Sequence, residues 1–131
     1  MLVKPTTIKT KTSEIWIDEE NILRVKVLEG AELTYEETVI CFDAYRELGC
    51  NENNKVIQLM DASVNASMTK EARDYVSEQG SKFFIASAVV TNNLAVRLIA
   101  NFINKFYKLN FPFRVFDSEE KAMEWLLKFR K

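Results

Sequence analysis

With 131 residues, 47% of them hydrophobic and 28% charged, the chain has the length and balance of one globular domain rather than of a disordered protein. Its formal charge of −1 lacks the basic excess of a nucleic-acid binder, although residues 1–96 carry 10 Lys/Arg against 15 Asp/Glu and residues 97–131 carry 8 against 4. No histidine occurs, which excludes His-based triads and His metal ligands, and no apolar run approaches the roughly 20 residues that cross a bilayer, which excludes integral membrane association.

The start, Met1 to Pro5, lacks the apolar stretch of a signal peptide, so a cytoplasmic protein is expected. From Ile8 to Leu28 the residues favour strand. Ile15, Trp16 and Ile17 are separated from Ile22, Leu23, Val25 and Val27 by the polar tetrad Asp18 to Asn21, which predicts a hairpin within an N-terminal meander. Gly30 breaks the pattern. Thr34 then caps a predicted helix to about Leu48, with Glu36 and Glu37 in its first turn, an inner stripe of Tyr35, Val39, Phe42 and Tyr45, and Gly49 at its end. Ile40 points away from that stripe. Cys41 falls on its apolar side and reads as a small buried hydrophobe, while pairing with Cys50 would require the last turn to unwind.

Val56 to Met60 is a short apolar run that predicts a central strand, closed by Asp61. A loop over Ala62 to Met68 leads to Thr69, the expected cap of a helix reaching Gln79. Phe83 to Val90 predicts a second buried strand. Thr91 or Asn92 is expected to cap a long helix to about Tyr107, which Asn110 and Pro112 terminate. Phe113 to Phe116 makes a last strand, and Asp117 or Ser118 starts a final helix with Glu119 and Glu120 in its first turn. The order implies a single α/β domain over residues 1–131: a mixed sheet of about five to six strands with an N-terminal β-meander, flanked by four helices.

The stretch Phe84-Ile85-Ala86-Ser87-Ala88-Val89-Val90, the helix after it, and the ending from Phe113-Arg114-Val115-Phe116-Asp117-Ser118 to Ala122-Met123-Glu124-Trp125-Leu126 resemble the SpoIIAA-like family, relatives of the STAS (sulfate transporter and anti-sigma factor antagonist) domains. The resemblance covers about residues 14–129 in element order and the C-terminal third in motif. It implies a mixed sheet flanked by helices, in small bacterial proteins that mostly bind other proteins or small ligands. Spacing alone also explains the ending, since Ala122, Trp125, Leu126 and Phe129 share one helix face and make Trp125 a core residue.

Asp61 lies at the C-terminal end of a predicted parallel strand, where open α/β sheets place their ligands, and Ser63, Ser67 and Thr69 follow it. In anti-sigma factor antagonists a serine in the corresponding loop is the phosphorylation switch. The Asp-Ser-[Ser/Thr]-Gly pattern that carries it there is absent here, and no glycine occurs between Met60 and Gly80. The four residues are therefore a candidate phospho-acceptor or ligand loop, against the simpler readings of Thr69 as a helix cap and Asp61 as a turn-forming carboxylate. No catalytic residues, metal ligands or cofactor are expected: the three glycines are isolated, and the carboxylate pairs Glu36/Glu37 and Glu119/Glu120 sit at helix starts.

The helix from Asn93 to Tyr107 is apolar over more than half of its circumference, more than one sheet contact needs. The surplus at Val96, Ile103 and Tyr107 should meet something else: the C-terminal helix or the Phe111–Phe113 segment in the plainer reading, or, with Ile40, a homodimer interface, before an apolar ligand pocket or a membrane surface. The function expected is a non-catalytic regulatory or protein-interaction module, with a regulatory protein partner as a further expectation. Its rival is a carrier or sensor that holds an apolar or amphipathic small molecule between the 93–107 helix and the sheet.

Overall fold

A computed structural model describes residues 6–130. In chain order the elements are β1 (Thr7–Lys9), β2 (Ser13–Ile17), β3 (Leu23–Val27), β4 (Ala31–Leu33), α1 (Tyr35–Glu47), β5 (Val56–Asp61), β6 (Ala66–Met68), α2 (Lys70–Gln79), β7 (Phe84–Val90), α3 (Leu94–Phe106), β8 (Phe113–Phe116) and α4 (Glu119–Leu126).

β1, β2 and β3 form the antiparallel meander. The polar tetrad turns the chain between β2 and β3: one carboxylate oxygen of Asp18 accepts the N–H of Glu20 and of Ile22, the other pairs with Arg24 at 2.9 Å, and Asn21 takes a φ of 64°. After β3 the sheet turns parallel. Its order is β1-β2-β3-β5-β7-β8, and α1, α2 and α3 are the crossovers that parallel neighbours require. A mixed six-stranded sheet with four α-helices is thus the observed architecture, as the alternation of strands and helices implies.

Alternation along the central strands divides the core into two layers. Ile57 and Leu59 of β5 and Ala86, Ala88 and Val90 of β7 pack against Ala122 and Leu126 of α4, with Trp125 partly buried between Phe116 and Phe129. On the opposite face, α1 seats Phe42 and Tyr45 against Val25, Val56, Phe83 and Phe84, while Val96 of α3 meets Val27, Ala62 and Val89.

Three smaller features depart from the sequence expectations. β4 and β6 form a small parallel pair of their own, where the sequence reads as a glycine break and a loop. Three residues are too few for a period-two signal, and Gly30, at φ 79° with its N–H donated to Asn65 O at 2.7 Å, brings the two segments together. Tyr35 is exposed and meets Tyr75 of α2 edge-on at 5.4 Å instead of pointing inward. Asn93 caps α3, accepting the N–H of Val96, because the Thr91 hydroxyl is buried and donates to Ala62 O at 2.8 Å.

The largest correction concerns the orientation of α3. Val96 and Ile103, expected at an interface, are 8% and 6% exposed and face the sheet. Tyr107, at the C-cap, is half-buried and donates its hydroxyl to Asp74 of α2 at 2.7 Å. The helix carries two apolar stripes, and the one containing the small Ala100 turns inward, where a short side chain permits close approach to the sheet.

Candidate functional site

The loop after β5 is built mostly of structural hydrogen bonds. Asp61 ends β5 and accepts the N–H of Ser63 at 3.2 Å, which is the turn-forming role of a short carboxylate. Asn65 accepts from the Asn93 amide at 3.0 Å, and its own N–H reaches Glu29. Thr69 caps α2 by accepting the N–H of Ala72 at 3.2 Å. Ser63 is exposed. Ser67 is exposed in β6 and is the one member of the expected set Asp61, Ser63, Ser67 and Thr69 that borders the cavity described next.

Between α3 and the sheet lies an apolar cavity of about 110 Å³. Phe42 of α1, Met60 of β5, Val76 of α2, Phe111 and the α3 residues Ala100 and Ile103 wall it. Its polar border is a buried triad: Gln58 donates from Nε2 to the Tyr45 hydroxyl at 3.3 Å and accepts from the Ser87 hydroxyl at 2.7 Å. Gln58 and Ser87 are direct partners in the β5–β7 register, so two neighbouring strands each place one polar group at the same point. Sequence reasoning passed over both. The available signal was a glutamine inside Val56–Met60 and a serine inside Phe83–Val90, each the polar exception in a buried strand.

The second feature is the outer stripe of α3. Leu94, Leu98, Phe102 and Phe106 follow one another at four-residue spacing and are 70%, 60%, 43% and 64% exposed. Phe102 and Phe106 lie 4.8 Å apart, with Arg73 over the first ring and Lys105 over the second. Ile40 is also exposed, on α1, where it borders a groove beside Ile8 and Lys9 of β1.

Among the described residues no group of three or more His, Cys, Asp or Glu side chains could hold a metal ion. Burial pushes the Cys41 thiol upward and takes Cys50 from 9.0 to about 11, so neither is a ready thiolate at neutral pH. No helix among the described residues is long and apolar enough to cross a membrane.

The whole arrangement is similar to the crystal structure of an uncharacterized protein of the DUF3478 family with a SpoIIAA-like fold from Shewanella loihica PV-4. The superposition has a TM-score of 0.55 at 16% identity and covers 94% of this chain and 92% of that one. That likeness establishes a SpoIIAA-like fold and leaves activity open. No protein of curated function matches the chain. The model of the family described as "Domain of unknown function (DUF7793)" matches residues 15–130, and the chain belongs to that family.

Proposed function

We propose that the protein is a non-catalytic regulatory or interaction module whose contact surface is the outer stripe of α3, and that the partner seated there is a second copy of the chain. The observation that carries this reading is the row Leu94, Leu98, Phe102 and Phe106, four large apolar side chains in a line on a helix whose other side already fills the core. Exposed apolar surface of this kind is a contact site or an aggregation liability, and a formal charge of −1 gives little repulsion to prevent association. An apolar row on one helix can pack against the same row of a second copy under a two-fold axis, the commonest symmetry of soluble oligomers. The fold likeness supports the non-catalytic part of the reading, and Ile40, on another helix, is not needed for the contact.

Amide and methyl NMR spectra recorded across a dilution series test the assignment. Resonances of Leu94, Leu98, Phe102 and Phe106 should shift with concentration while those of α4 stay fixed. Concentration-dependent shifts confined to α1 around Ile40 would move the contact to that helix and overturn the assignment.

A further inference from the structure

The buried triad beside the cavity has more hydrogen-bond donors than it uses. Tyr45, Gln58 and Ser87 are 2%, 3% and 3% exposed. The two hydroxyls and the amide supply four polar hydrogens, and the two bonds within the triad engage only two of them. Turning the amide end for end changes which hydrogens are spare and not their number. Among the described residues these side chains have no other hydrogen-bond partner. A buried donor without an acceptor is costly, and native interiors leave few of them. The three residues that carry these donors line an apolar space of about 110 Å³.

We propose that this cavity binds a small neutral molecule with a compact hydrocarbon body and one hydrogen-bond acceptor, a carbonyl oxygen in the simplest case, which accepts from the spare donors of the triad. Apolar walls with a few convergent polar groups are the usual make-up of a small-molecule site. Among the described residues no Lys or Arg borders the space, so a carboxylate there would be buried without a counter-charge, and the acceptor has to be neutral. Burial holds the Tyr45 hydroxyl well above its ordinary ionisation range, which keeps it a donor at every physiological pH. An apolar cavity of roughly 150 Å³ holds benzene, so this somewhat smaller space limits the ligand to about one six-membered ring. Ser67 of β6, which borders the same space, is exposed. The outer stripe of α3 takes no part in this site.

Cyclohexanone is the probe, with toluene as a ring of similar size that has no strong acceptor. Titration of the isotope-labelled protein up to about 10 mM should give saturable shifts at Tyr45, Gln58, Ser87 and Ala100. Tyr45→Phe, which removes the hydroxyl and keeps the ring, should weaken cyclohexanone by roughly three- to tenfold, the effect of one hydrogen bond, and change toluene by less than about twofold. Ala100→Leu, which extends a side chain from α3 into the cavity, should abolish binding of both probes, and it provides the test if Tyr45→Phe does not fold. A flat titration of the wild type would overturn the proposal and leave the spare donors to solvent. So would saturable binding that Ala100→Leu leaves intact, or a Tyr45→Phe effect equal for the two probes.

Discussion

Cutting Ile103 and Leu98 back to alanine removes apolar groups of similar size from the same helix, yet the structure separates their effects widely. Ile103 is 6% exposed and already borders the cavity, so the shortened side chain enlarges a space that the neighbouring residues do not close. Truncations of this kind cost 2–5 kcal/mol, and about 3 kcal/mol is a reasonable central value here. Leu98 is 60% exposed and loses little burial, while alanine is the better helix former, so the isolated chain should change by about 0.5 kcal/mol or less. For a domain of this size, 3 kcal/mol corresponds to a fall in Tm of roughly 12 °C. Urea unfolding followed by tryptophan fluorescence, at submicromolar protein so that association does not contribute, measures both variants. A loss for Leu98→Ala as large as that for Ile103→Ala would mean that the helix is turned the other way, and the assignment of its two faces would fail.

Further outcomes follow from single residues. Thr69→Ala should lower stability by about 1 kcal/mol through loss of the cap on α2, measured by the same urea titration; no loss would return Thr69 to the ranks of free hydroxyls. Gly80→Ala would place a Cβ 2.5 Å from Cε1 of Phe111, and the forced shift of that ring should cost roughly 1–3 kcal/mol. Burial takes Cys50 from 9.0 to about 11, so the unfolded chain loses the thiol proton first as pH rises. Its contribution to stability is complete below pH 9 and is lost as pH rises toward 11; the slope of unfolding free energy against pH over that window should be shallower in Cys50→Ala.

Much of the fold was legible because local chemistry and long-range packing agree. Thr34, Thr69 and Ser118 each cap the helix they precede, Gly49 takes a φ of 97° after α1, and the apolar runs at β5 and β7 become the two central strands. The orientation of α3 was not legible, because Val96, Ala100 and Ile103 form one apolar stripe and Leu94, Leu98, Phe102 and Phe106 another. The choice between them depends on which stripe fits the sheet and the β6 segment, a tertiary match that the helix's own periodicity does not encode. The candidate site was hidden for a related reason. Gln58 and Ser87 lie 29 positions apart and look incidental until the β5–β7 register makes them neighbours and Tyr45 arrives from α1. The loop after Asp61, by contrast, attracted notice for its polar composition, which the structure accounts for largely through turns and a helix cap.

Sedimentation equilibrium of the wild type beside Leu98→Asp decides whether the outer stripe of α3 is a contact face. Leu98 is exposed in the single chain, so the aspartate leaves the monomer folded, while at a two-fold contact it buries an unpaired charge on each side. A wild-type dimer at micromolar concentration is expected, with a monomer for Leu98→Asp and an unchanged circular dichroism spectrum. A wild type that sediments as a monomer at about 100 μM, or a Leu98→Asp variant that dimerises as the wild type does, would contradict it.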